Sequence, residues 1–120
     1  MLKLRSMLTA AAFATVAIAG TIVDANAQDR TLWLYEGDTT SVQGYFEAGE
    51  VIYGSCDDDC YDLDLFLYNT KGDLVYYDTE LDAIPVVVAP TDGTFMIEVS
   101  MPDCSHSEGC AVWVSSDLGF

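Results

Sequence analysis

The sequence predicts an all-β protein, an antiparallel β-sandwich of about eight strands stapled by two local disulfides. Three observations carry this. Strand-length runs of alternating apolar and polar residues recur about every ten residues, with turn residues between them. No stretch after residue 27 sustains three turns of helical periodicity. Four cysteines bracket two short polar loops, Cys56 to Cys60 and Cys104 to Cys110.

The chain opens with Lys3 and Arg5, continues through an alanine-rich apolar run from Met7 to Val23, and reaches Ala25-Asn26-Ala27. This is the charged, apolar and small-residue order of a signal peptide spanning residues 1–27, with cleavage before Gln28. An uncleaved membrane anchor is the rival reading, disfavoured because alanine and threonine leave the run weakly apolar. No cysteine stands at the cleavage point to take a lipid. Residues 28–120 are then a single domain in a secreted or periplasmic protein. Of the 20 carboxylates only Asp24 precedes Gln28, so 19 face Arg30 and Lys71 alone, a formal charge of −17. That field repels nucleic acid and anionic lipid and favours cations or a basic partner. Aromatic and branched apolar residues are too abundant for disorder.

The first strand is expected between Gln28 and Glu36, where Leu32 and Leu34 alternate with Trp33 and Tyr35. Ser41 to Glu47 forms the second, and Ala48-Gly49 turns the chain into a third from Glu50 to Ser55. From Tyr61 to Tyr68 the period is two: Leu63, Leu65 and Leu67 fall on a core face, opposite Asp62, Asp64, Phe66 and Tyr68. Asn69 to Asp73 is a hairpin loop with Gly72 suited to positive φ, and Leu74 to Tyr77 returns from it. After the acidic connection 78–82, Pro85 heads Val86-Val87-Val88, a position where its missing amide is tolerated. Pro90 to Gly93 is a turn; Phe95, Ile97, Val99 and Met101 alternate beyond it, and Ala111 to Ser115 closes the series.

Four cysteines allow three pairings. The local one, Cys56 with Cys60 and Cys104 with Cys110, is expected because each pair flanks a short loop. A four-cysteine zinc site fits poorly, since C-x3-C with C-x5-C is a loose match and an exported chain favours disulfides.

The candidate metal site is acidic. Asp62 and Asp64 stand about 6.7 Å apart along one strand face. Asp57 and Asp59 from the pinched loop, and Asp78 and Asp82 from the later acidic turn, would complete an oxygen-only set of the kind calcium takes. Asp103, beside the second cysteine loop, is expected to stand apart. The competing reading is a solvated acidic surface. Trp33, Tyr68, Tyr76 and Trp113 are candidates for an aromatic binding platform, against the plainer reading that such rings pack within a small sandwich. Catalysis is not expected: His106 is the only histidine, no Gly-x-Ser-x-Gly is present, and a domain of this size offers no deep cleft.

The ordered series Gly44-Tyr45-Phe46-Glu47-Ala48-Gly49-Glu50, Asp62-Leu63-Asp64-Leu65-Phe66-Leu67-Tyr68, Gly72-Asp73 and Gly93-Thr94-Phe95-Met96-Ile97-Glu98-Val99 resembles the bacterial pre-peptidase C-terminal domain. The resemblance runs from about Ser41 to Ser115. It implies a jelly-roll-like sandwich, a family often attached to secreted proteases, with collagenase relatives that bind collagen and calcium. The two cysteine loops are additions to that pattern. The expected function is a stand-alone, non-catalytic binding or accessory module, stabilised by calcium if the acidic site is real, with an extracellular or envelope protein or polysaccharide as partner. The alternative is a structural or solubilising acidic envelope protein without a specific small ligand.

Overall fold

The computed structural model describes residues 30–120; the expected signal peptide lies outside the described residues. Eight strands follow: β1 Arg30–Leu34, β2 Thr39–Phe46, β3 Val51–Cys56, β4 Cys60–Tyr68, β5 Leu74–Asp78, β6 Val86–Val88, β7 Gly93–Cys104 and β8 Cys110–Ser116. They lie within a residue or two of the expected runs, except that β7 continues three residues past Met101 to Cys104. Among the described residues no helix is long and apolar enough to cross a membrane.

The strands form two four-stranded antiparallel sheets, ordered β1-β8-β3-β6 and β2-β7-β4-β5. First pairs with last, second with seventh, third with sixth and fourth with fifth, as if one long hairpin had been rolled into two layers. That is a jelly roll. Alternation decides which side chains fill it. Leu63, Leu65, Leu67, Ile97, Val99 and Met101 from one sheet meet Ile52, Val87, Val112 and Val114 from the other, all fully buried. Phe46 closes the layer against Phe95 and Phe120. Gly54 is required by this packing, because a Cβ there would sit 3.0 Å from Leu63 Cδ2 and 3.2 Å from Pro85 Cγ. Gly72 turns the β4–β5 hairpin at φ +85°, a conformation other residues adopt at a cost.

Antiparallel order gathers loops 35–38, 57–59, 79–85 and 105–109 at one end. Both disulfides are there, Cys56–Cys60 and Cys104–Cys110, with Cα separations of 5.9 and 6.2 Å. The two cysteine loops brace each other. Ser105 N donates to Asp59 O at 2.8 Å, Asp57 N donates to Ala111 O at 3.1 Å, and Ala111 N donates to Asp57 Oδ2 at 2.8 Å. Glu36, Asp38, Asp57, Asp58, Asp59, Glu80, Asp82, Asp103 and Glu108 crowd the same end. The two cations among the described residues lie at the other: Lys71 in the β4–β5 loop, and Arg30 at the start of β1, over the Phe120 ring at 4.6 Å.

Leu65→Ala should cost about 2–5 kcal/mol in chemical denaturation, the range for a truncated core leucine. Asp57→Ala, which strands the amides of Asp59 and Ala111, should cost about 1–3 kcal/mol, whereas the exposed neighbour Asp58→Ala should change stability by under about 0.5 kcal/mol. Equal effects at 57 and 58 would show that the cross-brace does not support the fold.

Candidate functional site

Strand β4 enters its sheet irregularly. Its register against β7 pairs Cys60 with Cys104, Asp62 with Asp103 and Asp64 with Ser100, and shifts on both sides of Asp62. The β5–β6 connection folds over this segment, where Leu63 N donates to Asp82 O at 2.9 Å. Asp62 is thereby left only 8% exposed. Burial comes first and charge second. Removal from water, followed by the charges of Asp82 and Asp103, pushes the Asp62 carboxyl above the ordinary aspartate value. Asp64, partly buried and facing Asp62, Asp78 and Asp82, is pushed up to about 6. Asp62 Oδ1 and Asp64 Oδ1 are both buried without a partner among the described residues.

The other predicted ligands divide by role. Asp57 Oδ1 accepts from Asp59 N and its Oδ2 from Ala111 N, so this carboxylate is committed to the cross-brace. Asp59 belongs to the same turn and is not among the groups acting on Asp62 or Asp64. Asp78 accepts from Glu80 N through one oxygen and Val86 N through the other, holding the β5–β6 connection. Asp82 accepts from Ile84 N through Oδ1. Asp103, expected to stand apart, is instead the cross-strand partner of Asp62. The second deeply buried carboxylate, Glu50, is a useful contrast: Oε1 accepts from Glu47 N and Oε2 from Ser116 Oγ, leaving neither oxygen idle. Among the described residues no three acidic, histidine or cysteine side chains already converge at metal-ligand spacing.

The four predicted platform aromatics do not form one platform. Trp33 and Trp113 lie on the β1-β8-β3-β6 sheet, Tyr68 and Tyr76 on the other. Register puts Trp33 opposite Ala111 and Trp113 opposite both Thr31 and Ser55, so the indoles are diagonal neighbours on one outer face. Trp33 Nε1 donates to Glu108 O at 2.7 Å, which fixes that ring. Tyr53, paired with Ser115 and Val86, and Val51, paired with Val88, continue the face. Every outward residue on these four strands is uncharged. Exposure is 55% at Trp33, 41% at Tyr53 and 42% at Val86. No sequence window displays this face, because it is assembled from strands far apart in the chain. The opposite sheet is mixed. Tyr68 Oη donates to Glu98 Oε1 at 3.2 Å, beside a groove of about 430 Å³ lined in part by Gln43, Tyr68 and Met96. His106 serves its own loop, its Nδ1 accepting from Glu108 N at 3.1 Å.

No family model matches the chain, and no curated protein matches it in sequence. Among solved structures it is similar to the crystal structure of Aeromonas hydrophila PliG, a periplasmic lysozyme inhibitor of g-type lysozyme. The TM-score is 0.51 at 14% identity, over 78% of this chain and 88% of that one. The likeness is one of fold.

The carboxyl pair makes a signed prediction. Folding raises the Asp64 pKa from an unfolded value near 3.9 to about 6, so the folded state binds that proton more tightly. The resulting stabilisation is complete below about pH 4 and is lost as pH rises through about 6. Asp64→Asn keeps the neutral shape. It should melt above the parent at pH 7.5, with the difference closing toward pH 4; a difference independent of pH would refute the raised Asp64 pKa.

Proposed function

We propose that this protein is a secreted or periplasmic, non-catalytic binding module of pre-peptidase C-terminal type, which docks a basic protein on the outer face of the β1-β8-β3-β6 sheet. The observation that carries the proposal is that face: built of aromatic, aliphatic and hydroxyl side chains, continuous across four strands, and uncharged on a chain of 20 carboxylates and four cations. Interface centres are depleted in charge and enriched in Trp and Tyr, because a buried charge must be desolvated while a ring gains area at little entropic cost. Acidity confined to the surroundings then steers a basic partner without being buried itself. The disulfides fit an oxidising compartment, and the fold likeness to a periplasmic inhibitor supports the same address and a protein partner.

A purely solubilising role would be favoured by acid spread evenly over the surface. Here acid is concentrated at the strand ends and on the opposite sheet, and absent from one sheet face.

The first partner to try is a g-type lysozyme, named by the PliG likeness and otherwise chosen for basicity. Calorimetric titration should show a complex that weakens with added salt. Tyr53→Glu or Val86→Glu should abolish it, while Tyr45→Glu on the opposite sheet should not. Wild-type binding by Tyr53→Glu would remove the docking face, and the absence of micromolar binding to this lysozyme and to other basic envelope proteins would remove the proposed function.

A further inference from the structure

Strand β7 outruns its neighbour β4. Its pairing with β2 begins at Gly93, opposite Phe46, whereas its pairing with β4 begins only at Met96, opposite Tyr68. Residues 93–95 therefore have a strand on one side and the β4–β5 hairpin loop on the other. The space between loop and strand is a groove of about 430 Å³, within the size range of small-ligand sites. Gln43 of β2, Met96 of β7 and Tyr68 of β4 stand side by side across it as one cross-strand row. Asn69 and Thr70 from the loop and Thr94 from β7 line it further.

The lining carries no charge, on a chain with 20 carboxylates in 120 residues and with Lys71 and Asp73 in the same hairpin loop. It is nonetheless rich in hydrogen-bonding groups. Asn69 Oδ1 accepts from Lys71 N at 2.9 Å and from Asp73 N at 3.0 Å, so the hairpin fixes the carboxamide and leaves Nδ2 as a donor. Tyr68 Oη donates to Glu98 Oε1, which holds the ring and leaves the phenol oxygen able to accept. The side chains of Gln43, Thr70 and Thr94 have no hydrogen-bond partner among the described residues. Uncharged donors and acceptors thus surround one aromatic ring and one thioether.

We propose that this groove binds a neutral saccharide. A pyranose ring has an apolar face of C–H groups, which packs against Tyr68 and Met96, and a rim of hydroxyls, each both donor and acceptor, which Gln43, Asn69, Thr70 and Thr94 can meet. An anionic ligand would find no cation in the lining and would enter against the field of an acidic protein. A cationic ligand would find no carboxylate there and would be held better at the loop end. Amides and hydroxyls also cost less to desolvate than the carboxylates that dominate the rest of the chain. The groove lies on the sheet opposite the proposed docking face, so a saccharide and a protein can be held at once, and neither reading depends on the other.

The test is calorimetric titration of the protein with maltotetraose, cellotetraose and triacetylchitotriose, with tetragalacturonate as the anionic control. At least one neutral oligosaccharide should bind saturably with Kd below about 1 mM, equally at low and high salt because no charge is engaged. Tyr68→Ala and Gln43→Ala should each weaken that binding at least about tenfold. Tyr68→Phe, which keeps the ring, should lose less than Tyr68→Ala. Gln43→Ala, an exposed truncation, guards against a folding artefact, and Asp58→Ala at the other end of the sandwich should bind as the parent does. No binding of any neutral oligosaccharide up to about 10 mM overturns the proposal. So does binding that survives both Tyr68→Ala and Gln43→Ala, binding that falls steeply with salt, or binding of tetragalacturonate alone. A neutral extended peptide that binds, and is lost in the same variants while no saccharide binds, would also overturn it and give the groove to a protein partner.

Discussion

A small all-β protein has many turns, and each turn leaves backbone amides that no ladder satisfies. In this chain carboxylates satisfy them. Asp38 accepts from Tyr35 N, Glu50 from Glu47 N, Asp92 from Ala48 N, Asp117 from Val51 N, Asp82 from Ile84 N and Glu36 from Cys104 N. Asp57 and Asp78 each hold two amides. Several of these bonds join segments far apart in sequence, so they set how one loop meets the next strand as well as the shape of single turns. Much of the acidity that reads as a solvated surface is in this sense part of the fold. The bonds are charge-assisted and shorter than neutral ones as a class, which suits a domain whose two disulfides close only short loops.

The same pattern explains where charge is absent. Amides needing acceptors cluster at the strand ends, and that is where the carboxylates are. The outer face of β1-β8-β3-β6 carries no acid of its own, and where the strand-end amides of Val51, Val86 and Ala111 lack a ladder partner, Asp117, Asp78 and Asp57 reach them from outside the face. Selection for solubility alone would be expected to place charge there too, because an exposed Trp33, Tyr53 and Val86 on an open sheet invite association. Lys71 and Arg30 stand at the far end, so among the described residues no cation dilutes the field of the loop end.

Local order was legible in the sequence. The leucine alternation of β4, the Gly72 hairpin, the position of Pro85 before β6 and the two short cysteine bridges each depend on residues close together in the chain. What depends on register between distant strands was not. Asp103 faces Asp62 because β4 and β7 pair across a long intervening stretch. Trp33 and Trp113 share a face, apart from Tyr68 and Tyr76, because β1 pairs with β8 and β4 with β5. Nor does a run such as Asp57-Asp58-Asp59 reveal which member will reach the amide of Ala111. Spacing shows that acids are near one another; only the fold distinguishes a capping carboxylate from one left over.

The leftover pair sits on the strand that can least absorb it. Leu63, between Asp62 and Asp64, is fully buried, as are Leu65 and Leu67 beyond. Twisting β4 to carry the aspartates clear of the connection would therefore expose a leucine and open the core, at a cost comparable to truncating that side chain. The register shifts flanking Asp62 are the local compromise: they bend the strand without rotating Leu63 out of the sandwich. The β5–β6 connection then covers the aspartates, bonded through Asp82 O to the amide of Leu63. Core packing thus pins the two carboxyls in place, the connection dries them, and Asp103 adds a further negative neighbour. A loop-borne acid could swing into solvent to escape such surroundings; an acid held between core leucines cannot.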